Sequence, residues 1–345
     1  MLCKRLLLSV AAAMLLLGGI GQGRAETGAV KPKYVWKYAT LAPNGIGWAV
    51  HIQDLLLPMV QERTNGEVRL KIYWGGVMGD DEDILKKMRI GQLNGAGLSG
   101  QGVTMAVPEM TVLELPFLFR NYDEVDYIRE QMMPEFDSLA EKHGLFLVGL
   151  IDQDFDQIYS VKYPMNKLEN FEKSTFSCWY GDLEANMLKS LGASAVPVNV
   201  PEISTSLRQG VIDANIGPAI WQVGSQMYSV YKYVNTSKIR YSPALMIQRK
   251  EDFEASEDVK AYKEALLQER SEFVKLFTER VRVDNQKCLD AMLKYGLILA
   301  QASDEDMKVI AARTRPVWDE MAGVLYPREL LDELLEHLAE FREEN

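Results

Sequence analysis

The sequence is poor in the residues that carry most enzyme chemistry. Only three cysteines and three histidines occur in 345 residues. None of the histidines, His51, His143 or His337, has a second histidine or a cysteine at ligand spacing, and a metal site needs several ligands converging. They read as structural residues in helical segments. Cys3 falls in a charged leader, while Cys178 and Cys288 are far apart and can pair or stay free; two cysteines build no disulfide framework. The serine nucleophile elbow is missing too, since Gly97-Leu98-Ser99-Gly100 runs on into Gln101 rather than glycine. Positive charge is scarce: 38 Lys and Arg stand against 49 Asp and Glu, and binding nucleic-acid phosphates needs clustered cations. No catalytic constellation and no cofactor site are expected.

One motif is tempting. Gly95-Ala96-Gly97-Leu98-Ser99-Gly100 spells the dinucleotide pattern G-x-G-x-x-G, which works only where the glycines turn a strand into a helix under a pyrophosphate. Here the glycines fall where the strand itself should run, and the following QGVTMAVP does not read as a helix.

Long apolar runs are confined to the start of the chain. Lys4 and Arg5 precede one, and Gly23-Arg24-Ala25 offers small residues before Glu26, the pattern of a cleaved secretory signal over residues 1–25. The run is shorter than the roughly 20 residues of a membrane span. A periplasmic product is expected. Cleavage would remove Lys4, Arg5 and Arg24, leaving 35 basic residues against 49 acidic ones and moving the net charge from −11 to −14.

What remains exceeds one core, so two domains are expected. VWKYAT alternates as a strand, WAVHIQDLLLPMVQERT has helical spacing, VRLKIYW alternates again, and DDEDILKKMRIGQL is a helix with an acidic first turn. After the continuous apolar strand LFLVGLID, the same grammar returns: TFSC, the helix through Leu191, SAVPVNV, PEISTSLRQG and VIDANI. The alternation predicts α/β layers with largely parallel pairing. From Ser256 to Gly296 no proline or glycine interrupts the sequence until its end, which predicts one long helix bridging both domains. Helices over DEDMKVIAARTRPVWDEMAG and PRELLDELLEHLAEFREE close the chain.

An exported acidic α/β protein without catalytic groups suits binding of a small solute. The segments TLAPNGIGWAVHIQDL, QERTNGEVRLKIYWGGVMGDDEDILKKMRIGQLNGAG, LELPFLFRNYDEV, LKSLGASAVPVNVPEISTSLRQGVIDANIGPAIW and YSVYKYVNTSK, in this order, resemble the DctP-type solute receptors of tripartite ATP-independent periplasmic (TRAP) transporters. The resemblance implies a two-domain periplasmic binding protein, or flytrap, fold with a long helix spanning both domains. It places domain I at 34–151 with 243–280 and domain II at 152–242 with 281–345. The implied partners are a small-molecule ligand and the TRAP membrane permease subunits.

The resemblance also marks departures. The ligand-clamping arginine of the family falls on Ser177, and a second arginine on Asp156. An asparagine of the first loop falls on Leu41, an aromatic that packs on the ligand falls on Val200, and a Glu-Asn pair becomes Ile216-Gly217. Trp48, Trp179, Tyr180 and Trp221 lie nearby, with Phe155, Asp81 and Ser99 completing the expected ligand-binding set. The tryptophans and Phe155 also suit core packing, Asp156 suits a pair with Arg240, and Phe117 and Phe119 belong to the core. A serine cannot replace a bidentate arginine, so the expected ligand is apolar or amphipathic. A subgroup associated with tetratricopeptide-repeat proteins shares the missing arginine, which adds such a periplasmic protein as a possible partner. Alternatives are a cationic or zwitterionic solute held by Asp156 and aromatic faces, an organic acid held by other groups, and a sensor domain feeding a signalling receptor.

Overall fold

The computed structural model describes residues 31–178, 181–254 and 256–345; the leader, Trp179 and Tyr180 lie outside the described residues. Side chains of the first strand β1 (Tyr34–Thr40) alternate, so that Trp36 and Tyr38 enter one apolar cluster and Ala39 another. Helix α1 (Trp48–His51) runs through a π-turn at Ile52–Leu56 into α2 (Leu57–Arg63). β2 (Val68–Tyr73), α3 (Asp81–Arg89), β3 (Gly95–Ser99), α4 (Gln101–Ala106) and α5 (Tyr122–Lys142) follow. The acidic first turn of α3 is capped by Asp80, whose Oδ1 accepts the Asp83 N–H at 3.0 Å.

The expected strand at LFLVGLID is the opening half of β4 (Leu145–Ser160), in which Leu145 and Leu147 face one cluster and Phe146 and Val148 the other. Burial on both faces explains the unbroken apolar run. Then come α6 (Leu168–Glu172), β5 (Thr175–Cys178), α7 (Asp182–Ser190), β6 (Ser194–Pro197), α8 (Ile203–Arg208), β7 (Ala214–Gly217), α9 (Ala219–Gly224) and β8 (Tyr233–Arg249). The bridging helix α10 (Glu257–Tyr295) is 39 residues long, capped by Ser256 and stopped at Gly296 with φ 127°. β9 (Ile298–Leu299), α11 (Asp304–Thr314), α12 (Pro316–Met321) and α13 (Arg328–Glu344) complete the chain; Pro316 divides what the sequence suggested was one helix into α11 and α12.

Among the described residues the sheet has nine strands in the order β2-β1-β3-β8-β4-β7-β5-β6, with β9 on β8. β1 pairs in parallel with β2 and β3, and β5 with β6 and β7. The centre differs from the expected parallel sheet. β4 and β8 are antiparallel to each other, β8 to β3 and β4 to β7. Neither long strand belongs to a β-α-β crossover, and together they carry the chain from one half of the sheet to the other. At the change-over Ile151 faces Ala244 and Asp152 faces Pro243, with a register shift between Asp152 and Asp154. Four apolar clusters cover the two faces of the two halves. α10 contributes Phe273, Val274 and Phe277 to the first half and Met292 to the second, so it does span both. α12 and α13 return to the first half: the Trp318 Nε1–H donates to the Pro116 carbonyl at 3.0 Å, and Leu331, Leu334 and Leu338 join the cluster of α5.

Candidate functional site

β1 and β3 end side by side, and the loop after β1, the start of α3 and the N-terminus of α9 gather around those ends. Carboxyl ends of parallel strands leave a crevice in open α/β sheets. The crevice here is a narrow cavity of about 70 Å³. Its first-half wall is Thr40, Leu41, Pro43, Ile46, Trp48, Asp81 and Ser99; across it stand Val200, Pro218, Ile220 and Trp221, with Gln153 of β4 at the back. The halves touch at two glycines. A Cβ on Gly47 would lie 2.5 Å from Ile220 Cδ1, and one on Gly224 would lie 3.0 Å from Ile46 Cδ1 and 3.4 Å from Pro43 Cγ. Behind them Trp48 is packed edge-on to Phe277 of α10 at 6.2 Å, and Asn285 of the same helix accepts the Ile220 N–H at 2.9 Å and donates to the Gln153 carbonyl at 3.0 Å.

Among the described residues the lining is apolar except for Thr40, Ser99, Gln153 and Asp81, and no Lys, Arg or His is among it. Asp81 is 5% exposed, and its Oδ2 has no hydrogen-bond partner. Burial pushes its carboxyl up to about 7, reinforced by the neighbouring Asp80 and opposed by the Gly102 N–H. Gly102 is required there, since a Cβ would meet Asp81 Oδ2 at 2.8 Å.

Six expected site residues therefore line one cavity: Leu41, Trp48, Asp81, Ser99, Val200 and Trp221. The other described ones do not. Asp156 is fully buried and takes two hydrogen bonds from Arg240, which also bonds Glu184 at 3.3 Å; burial raises the Asp156 carboxyl to about 6 despite the guanidinium. Asp156 therefore already has a buried cation as its partner and does not line the cavity. Ser177 is buried, and its Oγ accepts from Asn215 Nδ2 at 2.8 Å, while Asn215 Oδ1 accepts from Gln222 at 2.9 Å. Phe155 packs against Tyr122 and Tyr241, Ile216 lies in a core cluster, and Gly217 sits beneath Trp221, whose Cε3 a Cβ there would approach to 3.4 Å. Phe119 is core, and Phe117, at φ 57°, is partly buried against the separate cluster of Ile158, Phe176 and Ile239.

Sequence reasoning missed Ile46, Gly47 and Ile220. The signal available in the sequence is the NGIG turn after β1. The expectation that no helix follows Gly100 also fails, because α4 starts there. Gly95 and Gly97 nevertheless lie inside β3, where a Cβ on Gly95 would collide with Tyr38 and the Ile247 carbonyl, so they serve strand packing and not a phosphate turn. Each histidine faces a carboxylate: His51 meets Asp284 and His143 meets Glu109 at 2.9 Å, and His337 meets Glu340 at 3.4 Å. Cys178 and Cys288 are not bonded to each other.

Residues 51–323 match the family described as DctP, bacterial extracellular solute-binding protein, family 7. The chain is 28% identical over 286 residues to a solute-binding protein of Chromohalobacter salexigens, covering 79% of this chain and 83% of that relative. The sugar acid binding protein DctPAm of Advenella mimigardefordensis, solved with galactonate, superposes with TM-score 0.82 at 20% identity over 90% of this chain and 99% of that one. A TRAP periplasmic solute binding protein of Chromohalobacter salexigens with bound D-glucuronate gives TM-score 0.77 at 23% identity over 88% of this chain and 98% of that one. At these identities the likeness speaks for the fold.

Proposed function

The chain belongs to the DctP family of solute-binding proteins, the periplasmic receptors of TRAP transporters, and from that premise we propose that its cleft receives an apolar or amphipathic small molecule for the membrane permease. One observation carries the reading: among the described residues, the cavity between the halves is walled by Leu41, Ile46, Trp48, Val200, Ile220 and Trp221 and by no cation. An organic acid needs a positive partner to offset the loss of its hydration. The buried Arg240 is engaged by Asp156 and Glu184. Apolar burial at about 25 cal/mol per Å² holds a ligand without an ion pair. Thr40, Ser99, Gln153 and Asp81 supply the few polar groups that fix its orientation.

The two halves act as lobes, hinged where β4 and β8 change over at Asp152 and Pro243 and where α10 runs across. Among the described residues expected in the cleft, Leu41, Trp48, Asp81, Ser99, Val200 and Trp221 line the cavity and carry the assignment proposed here. Ser177 in place of a clamping arginine favours the receptors that work beside a tetratricopeptide-repeat protein, which makes such a protein a candidate second partner.

A second reading, an organic acid, is supported by the sugar acids and dicarboxylate found in relatives, galactonate, D-glucuronate and succinate among them. Native mass spectrometry of protein isolated from the cell envelope without denaturation separates the two. A co-purifying lipid-like or other apolar molecule is expected; a co-purifying sugar acid or dicarboxylate would overturn the proposal.

A further inference from the structure

A second cavity, of about 510 Å³, opens outside the first and shares Leu41, Pro43, Val200 and Trp221 with it. Those four side chains are the partition between an inner and an outer compartment. The outer one has a different character. Its walls are the Gly75-Gly76 turn and the polar groups of Asp80, Asn199, Glu202, Ser204 and Ser225. Asp80 accepts the Asp83 N–H with one oxygen, and no ion pair engages Asp80 or Glu202 among the described residues. Immediately inward, Asp81 lines the inner compartment with a buried Oδ2 that has no hydrogen-bond partner. Thus three acidic residues line the two compartments, and among the described residues no Lys, Arg or His lines either.

We propose that the two compartments form one bipartite site for an amphiphile whose polar head carries positive charge or hydrogen-bond donors. The inference rests on the apolar reading above and adds the sign of the head group. The apolar part fills the inner cavity against Trp48, Ile220 and Trp221. The head lies in the outer compartment against Asp80 and Glu202, and donors at the junction with the apolar part satisfy Asp81. A carboxylate head would meet the like charges of Asp80 and Glu202 without a lining cation among the described residues. A donor head satisfies an acceptor that is otherwise buried and unpaired.

Three probes with one tail and different heads test this: octylammonium, 1-octanol and octanoate, titrated into the full-length mature receptor at pH 8 and low salt. Octylammonium is expected to bind more tightly than octanoate by about tenfold or more, with 1-octanol between them. In an Asp80→Asn, Glu202→Gln double variant, with its melting temperature as the control for folding, the gap between octylammonium and octanoate narrows. Octanoate binding as tightly as octylammonium, or a gap that the double variant leaves unchanged, overturns the proposal. Equal binding of all three probes leaves the apolar reading standing and removes only the head-group inference. Binding of none of them, with saturable binding of a sugar acid, removes both.

Discussion

Arg240 on β8 stands opposite Asp156 on β4 and donates two hydrogen bonds, of 3.0 and 2.7 Å, to the same carboxylate oxygen. Both side chains are fully buried, and Glu184 is the second acid on the same guanidinium. Each charge thus has an opposite partner inside the protein.

Breaking that pair leaves uncompensated buried charge. Arg240→Met is expected to lower unfolding free energy by about 3–5 kcal/mol, read by urea denaturation at pH 7. Arg240→Met with Asp156→Asn recovers part of the loss, because the stranded carboxylate is gone. A single variant within 1 kcal/mol of the parent, on the order of an exposed pair, would show that the two groups are solvated.

Asp81 gives a pH dependence of definite sign. Its folded-state carboxyl, raised by burial to about 7 from 3.8, binds its proton more tightly than the unfolded chain does. Its contribution to stability is therefore full below pH 3.8 and is lost as pH rises through about 7. Asp81→Asn, which keeps the shape without the charge, should be more stable than the parent at pH 8 by about 2–4 kcal/mol, with the difference shrinking toward pH 5. Parallel stability curves from pH 5 to 8 would contradict the assignment.

The two glycine contacts predict a variant that cannot close. Gly224 ends α9 with ordinary backbone angles, so a side chain there is tolerated by the helix but meets Ile46 and Pro43 across the cleft. Gly224→Leu should hold the lobes apart, with a larger radius of gyration by small-angle X-ray scattering and ligand affinity reduced at least about tenfold. An unchanged radius and affinity would mean that the lobes meet elsewhere.

Ser177→Arg introduces the residue that the resemblance implies for this position. Ser177 is 1% exposed and bonded to Asn215, with no carboxylate among its hydrogen-bond partners. The variant is expected to lose about 3 kcal/mol or more of stability and to gain no affinity for galacturonate. Micromolar galacturonate binding by a stable variant would show that the cleft extends to this strand.

The legible parts of the sequence were those fixed by local pattern. The 39-residue α10 was readable because no proline or glycine interrupts it, and its cap and stop, Ser256 and Gly296, stand at its ends. The antiparallel centre was not readable, because a buried strand shows the same apolar run whichever way its neighbour points. At the site, Leu41 and Val200 could be placed by comparison with family motifs flanking them, and Trp221 only by its nearness in sequence. Ser177 and Asp156 occupy motif positions yet turn inward to Asn215 and Arg240, and only the three-dimensional pairing of β4 with β8 and of Ser177 with Asn215 reveals this. Ile46 and Ile220 escaped because a contact between the lobes leaves no period in either segment.

The most direct measurement is a pair of titrations into the same ligand-stripped receptor, galacturonate in one and 1-octanol in the other, followed by the fluorescence of Trp48 and Trp221 against Trp48→Phe and Trp221→Phe controls. Saturable binding of 1-octanol with no response to millimolar galacturonate is the predicted result. Micromolar binding of galacturonate with none of 1-octanol would contradict the apolar cleft.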